Sequence, residues 1–150
     1  MTPLFKKLNF KDHTSILLVN APDSFQEESR AMSVFTHVIF QVDGAQKPPF
    51  VLAFALSQKE VDALATLFSE KTEGDAVLWI AYPKGSSKRY KCDFNRDTGW
   101  QALGAAGFEP VRQVAIDEDW SALRFRRVEF IKTMTRSFAR TEAGKEKTKK

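Results

Sequence analysis

The length and composition of the chain describe a globular protein and exclude several classes of function. Its 150 residues are 43% hydrophobic and 12% aromatic, so the chain is rich enough in apolar side chains to bury a core, unlike a disordered sequence. No apolar run reaches the ~20 residues that cross a bilayer, and the single cysteine excludes an internal disulfide and a four-cysteine metal site. We therefore expect a cytoplasmic protein that makes no membrane contact.

Positive charge is concentrated at the carboxyl-terminal end. The net charge is +4, but residues 124–150 hold 10 Lys/Arg against 3 Asp/Glu, whereas residues 1–123 hold 13 against 16. Such an end is more often a solvated arm than a segment that binds nucleic acid or an anionic surface. We favour the solvated arm.

The first part of the chain predicts strands that alternate with helices. Strand composition, rich in β-branched and aromatic residues, predicts the first three strands over residues 15–19, 35–42 and 50–56. A short polar helix is expected after the first strand, capped by Asp23 or Ser24 and ending near Arg30. Because the link between the second and third strands is short for a crossover, the direction of the second strand is left open.

The second part continues the alternation and ends in a hairpin. Ser57 and Glu60 have the spacing of a capping box, which predicts a helix that ends near Gly74. We predict a fourth strand over residues 76–82 and a second helix over residues 97–106, with Gly107 as its left-handed cap. Two antiparallel strands are predicted over residues 111–116 and 120–128.

Strands that are apolar on both faces and separated by helices indicate an α/β fold with a mostly parallel sheet and helices on both faces. We predict about six strands in one domain over residues 1–140, which includes a basic amphipathic helix at its end. Residues 141–150 lack large apolar side chains and are expected to be a disordered basic tail.

Two stretches resemble a group of bacterial proteins. LWIAYPKGSS (residues 78–87) and AIDEDWSALRFRR (residues 115–127) resemble a domain of unknown function that is marked by a Trp-x-x-Tyr/Trp-Pro-Lys-x-Ser-Ser loop and an Asp-x-x-Trp-Ser-x-Leu-Arg/Lys hairpin. The stretch LLVNAP matches that group too, and the resemblance covers roughly residues 14–127. The resemblance does not cover the predicted basic helix or the tail.

More distantly, the order of elements is similar to a trimmed class I methyltransferase fold, which is Rossmann-like and ends with a reversed strand inserted beside its neighbour. Such enzymes carry a glycine-rich turn after the first strand, because glycine lets the backbone approach the cofactor. Here the turn reads Asn20-Ala21-Pro22-Asp23, and proline has no backbone donor. Such enzymes also have an acidic residue at the end of the second strand. Asp43 does not match that position convincingly, because a turn glycine follows it. We therefore expect no cofactor, and in particular no adenosylmethionine or dinucleotide in the usual mode.

The edge where the parallel strands end is where open α/β sheets bind ligands. If the reversed sixth strand lies between the fourth and the fifth, Lys84 either pairs with Asp117 or lies against the Trp120 ring. The candidate ligand-binding residues, which suit a phosphate or carboxylate, are Asn20, Lys84, Gly85, Ser86, Ser87, Asp117 and Trp120. The alternative is a structural ion pair beside a packed tryptophan.

The residue types used in catalysis form no recognisable set. His13 and His37 have no partner at metal-ligand spacing, and Cys92 has no histidine or second cysteine to activate it. We therefore predict no catalytic residues and no metal site. Four basic residues around Tyr90 would suit nucleic acid, but a solvated loop is the favoured interpretation.

These observations predict a non-catalytic module that binds a small anion or regulates a partner, built on a degenerate methyltransferase-like fold. Two alternatives are kept: an enzyme acting on a small anionic substrate, and a nucleic-acid accessory protein that uses the basic carboxyl terminus. The partner and the oligomeric state are left open.

Overall fold

The computed structural model describes residues 1–42, 46–94 and 98–131 and shows a six-stranded sheet with helices on both faces. In chain order the elements are α1 (Pro3–Lys7), β1 (Ser15–Val19), α2 (Gln26–Met32), β2 (His37–Ile39), β3 (Phe50–Phe54), α3 (Gln58–Lys71), β4 (Val77–Pro83), α4 (Gln101–Ala105), β5 (Phe108–Ala115) and β6 (Trp120–Arg127). In these ranges no helix combines the length and the apolar character that crossing a membrane requires.

The strand order confirms the predicted fold class. The order is β2-β1-β3-β4-β6-β5, in which β2, β1, β3 and β4 pair in parallel and β6 runs antiparallel to both of its neighbours. The direction of the second strand, left open by the sequence, is parallel. This strand ends at Ile39, earlier than predicted, so residues 40–49 are available for the crossover to β3.

The central strands are buried on both faces, which explains their uninterrupted apolar sequences. Every residue of β3 and of β4 is buried. Val51 and Leu78 lie in the core that α3 and α4 cover, whereas Leu52 and Trp79 lie in the opposite core beneath α1 and α2. The alternation of neighbouring residues between two cores is what a strand between two helical layers requires.

Helix α1 is an element that the sequence reasoning missed. The Thr2 hydroxyl oxygen accepts the Phe5 N–H at 3.2 Å, and Pro3 occupies the first turn, where its missing N–H has no cost. Just after the helix, the Leu8 carbonyl accepts a buried hydrogen bond of 2.8 Å from the Trp79 indole nitrogen. That bond ties α1 to the sheet.

The predicted capping box at the start of α3 is confirmed, with one shift. The Ser57 hydroxyl oxygen accepts the Glu60 N–H at 3.2 Å, while the Glu60 carboxylate accepts the N–H of Leu56 at 2.8 Å, one residue before the expected partner. The helix ends at Lys71, and Gly74 beyond it has a φ of 62°. The helix prediction is therefore correct within a few residues.

Two other helix starts differ from the prediction. Before α2 the chain makes a 3-10 turn over Asp23–Phe25 without any side-chain capping bond, so neither Asp23 nor Ser24 caps a helix. Helix α4 begins only after Gly99, whose φ of 92° interrupts helical geometry, and Gly107 ends it with a φ of 95°, as predicted. The first residue predicted for this helix, Asp97, lies outside the described residues.

The carboxyl-terminal hairpin is confirmed, and the chain beyond it is only partly described. Strand β5 begins at Phe108, earlier than predicted, and pairs with β6 across an irregularity between Pro110 and Arg112. After β6 the chain makes a 3-10 turn over Val128–Phe130. The predicted basic helix has Val128 and Ile131 on its apolar side, but this 3-10 turn stands at its start and Ile131 is extended. The rest of that helix, from residue 132 onward, and the predicted tail over residues 141–150 lie outside the described residues.

An ion pair joins the amino end of β4 to β6. Two guanidinium nitrogens of Arg126 donate to the two carboxylate oxygens of Asp75, each at 2.7 Å. The hydrogen bond from Arg126 holds the pKa of Asp75 below its ordinary value, and the same bond raises the pKa of Arg126. The Asp75 and Arg126 side chains are 36% and 32% exposed, so solvent weakens the attraction.

Replacing Asp75 by Asn is expected to lower the free energy of unfolding at neutral pH by less than about 1 kcal/mol. Because the folded-state pKa of Asp75 is depressed, its contribution is present above the unfolded-state pKa and is lost as pH falls through the folded-state pKa. Urea unfolding at neutral and at strongly acidic pH measures this difference. A difference between wild type and variant that persists unchanged in acid would contradict this assignment.

Candidate functional site

The carboxyl ends of β1, β3, β4 and β5 meet at one edge of the sheet, and β6 begins there. Trp120, the first residue of β6, pairs with Pro83, the last residue of β4. The loop after β4 and the turn before β6 are therefore neighbours, although they are far apart in the sequence.

Backbone and side-chain hydrogen bonds fasten the loop to the turn. The Lys84 N–H donates to the Asp119 carbonyl at 2.8 Å, and the Ser87 hydroxyl donates to the Asp119 carboxylate at 2.8 Å. The Ser87 oxygen also accepts the Tyr90 N–H at 3.2 Å. Asp119 is therefore the acidic residue that joins the two segments.

The predicted pairing of Lys84 with Asp117 is wrong. One carboxylate oxygen of Asp117 accepts the N–H groups of Asp119 and Trp120 at 2.8 and 2.9 Å, an arrangement that shapes the turn. In the described part of the chain, no salt bridge and no ring contact involves the Lys84 ammonium. Asp117 acts as a turn residue.

Trp120 packs in the core and does not form a ligand platform. Its side chain is 2% exposed, and its ring lies 5.1 Å from Phe54 and 4.9 Å from Tyr90, measured between centroids. Among the described residues its indole nitrogen is buried without a hydrogen-bond partner. For Trp120, the structure therefore agrees with the alternative interpretation of the sequence, in which the tryptophan is a packing residue.

A cavity of about 590 Å³ opens at the end of β4, and we call it the Tyr82 cavity. Its lining includes Tyr82, Lys84, Tyr90, Lys91, Gln113 and Ser121. Of the predicted site residues, Gly85 and Ser87 also line it, whereas Ser86, Asp117 and Trp120 do not. The volume lies in the range of small-molecule sites.

A hydrogen-bonded polar group lies in the lining of the Tyr82 cavity. The Gln113 amide nitrogen donates to the Tyr82 hydroxyl at 3.1 Å and to the Ser121 hydroxyl at 3.2 Å. Tyr82 and Ser121 are opposite each other in the β4–β6 pairing. Sequence reasoning missed Gln113 and Ser121, because the face to which a polar strand residue points depends on the register of the hairpin.

A second, smaller cleft lies beside the turn after β1, and we call it the Asn20 cleft. Its volume is about 350 Å³, and its lining includes Asn20, Pro22, Asp23, Gln26, Ser29 and Phe40. Asn20 has a φ of 58°, and its side-chain amide donates to the Phe54 carbonyl at 3.4 Å. Asn20 therefore lines a different site from Lys84, Gly85 and Ser87.

The histidines lie away from this edge. His13 precedes β1 and His37 begins β2, so both are at the amino ends of parallel strands. Burial, followed by the nearby charge of Arg124, lowers the pKa of His13. Among residues 1–42, 46–94 and 98–131, no three His, Cys, Asp or Glu side chains gather as metal ligands would.

No protein-family model and no curated protein sequence matches the chain. Solved structures with the same fold include a SAM-dependent methyltransferase from Aquifex aeolicus, with a TM-score of 0.56 and 10% identity over 83% of this chain and 87% of that one. The fibrillarin pre-rRNA processing protein of Methanococcus jannaschii gives a TM-score of 0.52 and 14% identity over 85% of this chain and 69% of that one. The magnesium protoporphyrin IX methyltransferase of Synechocystis, solved with bound SAM, gives a TM-score of 0.52 and 11% identity over 83% of this chain and 74% of that one.

These similarities establish a methyltransferase-like Rossmann fold for the chain, and at such low identities they establish the fold alone. They also correct the function predicted from the sequence. The prediction of a non-catalytic binding or regulatory module is wrong on this comparison, because the solved structures that share the fold include several methyltransferases.

The contacts of Ser87 predict a difference between two neighbouring serines. Replacing Ser87 by Ala removes the bonds to Asp119 and to the Tyr90 N–H, so we expect the free energy of unfolding to fall by about 1–2 kcal/mol. Ser86 is exposed, and Ser86→Ala is the matched control, with an expected change within about 0.5 kcal/mol. Urea denaturation measures both, and equal effects of the two variants would refute the role of Ser87.

Proposed function

We propose that the chain is a methyltransferase-like enzyme that binds a nucleoside-type methyl donor in the Asn20 cleft and an acceptor in the Tyr82 cavity. One observation carries the proposal: the cleft and the cavity open at the same edge of the sheet, after β1 and after β4, with the end of β3 between them. Group transfer requires two adjoining sites. The carboxyl edge of an open α/β sheet is also where this architecture binds its ligands.

The turn after β1 supports a donor site in spite of its sequence. The left-handed φ of 58° at Asn20 gives the backbone the conformation for which glycine is usually needed. Pro22 has no N–H to offer, so the backbone contributes fewer donors than a glycine-rich turn does. The side chains of Asp23 and Gln26 supply polar groups in place of those donors.

Phe40 supplies the aromatic surface that a nucleoside base requires. It lines the Asn20 cleft, yet its side chain is 59% exposed. An exposed ring beside a polar cleft fits base stacking, which tolerates many bases because every base has a π-face. The residues present thus fit a nucleoside-type donor that is held mainly by side chains. When bound, such a donor supplies a methyl group activated on sulfur.

Each end of this edge is held in place by residues of the chain itself. The Asn20 amide bond to Phe54 fixes the β1 turn to the end of β3. On the other side, the Gln113 amide orients the hydroxyls of Tyr82 and Ser121 in the acceptor cavity. Both arrangements are held by hydrogen bonds within the chain, and such preorganisation lowers the entropic cost of binding.

Two further predictions accompany this proposal. Membership in the bacterial group with the Trp-x-x-Tyr-Pro-Lys-x-Ser-Ser loop is supported by the residues of the loop and the hairpin. A cytoplasmic location agrees with the sequence composition. Neither prediction affects the geometry of the cleft or the cavity.

Calorimetric titration of the full chain with S-adenosylhomocysteine tests the donor site. We expect binding with a dissociation constant of about 1–100 μM and, because stacking on the ring is lost, about tenfold weaker binding by Phe40→Ala. Phe35 is equally exposed, at 58%, and does not line the cleft, so Phe35→Ala is the control and should bind as the wild type does. Absence of binding up to about 1 mM, or equal weakening by both variants, would reject the proposal.

A further inference from the structure

We infer that the Tyr82 cavity binds an organic acid, a carboxylate carried on a small apolar or aromatic body. The role of this acid as the acceptor rests on the proposed function; the binding site itself is argued from the residues that form it. These residues supply positive charge at the Lys84 loop, a hydroxyl between two strands, and aromatic walls.

The charge of the cavity lining is positive and is not neutralised by the described residues. Lys84 and Lys91 both line the cavity, and none of its described lining residues is Asp or Glu. Neither ammonium group has a carboxylate partner in the described part of the chain. Two acidic residues of the neighbouring segments bond to other groups: Asp119 accepts the Ser87 hydroxyl, and Asp93 accepts the Gln58 N–H at 2.7 Å. Two unpaired cations beside one cavity favour an anionic ligand.

Ser121 provides a hydrogen-bond donor in the lining of the same cavity. Its side chain is 6% exposed, and its oxygen already accepts the Gln113 amide. A hydroxyl that is engaged as an acceptor still has its own proton to donate. Among the described residues the Ser121 hydroxyl donates no hydrogen bond, and a carboxylate oxygen in the cavity would accept its proton. Gln113 thus orients Ser121 toward the role of donor.

The volume of the cavity and its aromatic walls suit an organic ligand better than a bare inorganic anion. Tyr90 and Phe94 line it, and the Cys92 thiol between them is turned to the Phe94 carbonyl, at 2.9 Å. The Tyr90 ring is held against Trp120, and the Phe94 ring lies 5.8 Å from Tyr82. A cavity of about 590 Å³ with such walls accommodates an organic body together with its carboxylate.

The test compares three probes that separate charge from shape. Benzoate carries both the carboxylate and a ring, benzamide keeps the ring without the charge, and acetate keeps the charge without the ring. In NMR titrations of the full chain, we expect benzoate to bind about tenfold more tightly than either of the others. Equal affinity of benzamide would overturn the role of the charge, and equal affinity of acetate would overturn the role of the aromatic walls.

Variants then locate the site. Lys84→Gln and Ser121→Ala should each weaken benzoate binding about tenfold while the melting temperature confirms a folded chain. Lys88→Gln is the matched control, because Lys88 belongs to the same loop and does not line the cavity. Equal weakening by Lys88→Gln would overturn the inference.

A parallel titration of the same samples with S-adenosylhomocysteine separates this inference from the proposed function. Loss of benzoate selectivity with donor binding intact overturns the acid site and leaves the Asn20 cleft standing. The reverse result overturns the donor assignment and leaves the acid site standing.

Discussion

The antiparallel pairing of β6 with β4 is the constraint on which the geometry of this edge depends. Because β6 runs against β4, its first residue, Trp120, lies opposite Pro83, and the next pair is Ser121 with Tyr82. The Lys84 N–H bond to Asp119 continues the ladder beyond the strand ends. One pairing therefore sets the position of the basic loop and the adjacency of the two hydroxyls that line the Tyr82 cavity.

Core packing fixes the distance between the Asn20 cleft and the Tyr82 cavity. A row of rings runs between them, from Phe25 in the lining of the Asn20 cleft through Phe54 and Trp120 to Tyr90 in the lining of the Tyr82 cavity. Successive ring centroids are 5.2, 5.1 and 4.9 Å apart, which is close aromatic contact. Since interiors are packed as densely as organic crystals, this row holds the two sites in a fixed relation.

The sequence predicted the central strands and α3 because their signals are local: apolar runs buried on both faces, and a capping box. It missed α1, since five residues form a stable helix only with tertiary support such as the Trp79 bond to Leu8. The loop and the turn were correctly brought together, but Asp119 was not distinguished from Asp117, because consecutive acids look alike until the turn is folded. The left-handed conformation of Asn20 could not be predicted either, because the residue type permits that conformation without requiring it.

The central claim is that one edge of the sheet carries a donor cleft after β1 and a separate acceptor cavity after β4. Residue-resolved NMR of the full chain, titrated with S-adenosylhomocysteine, tests it most directly. The account predicts that the largest chemical-shift changes fall on the backbone amides of Asn20, Ala21 and Phe40. Changes confined to residues 124–150, or an unchanged spectrum at saturating ligand, would contradict it.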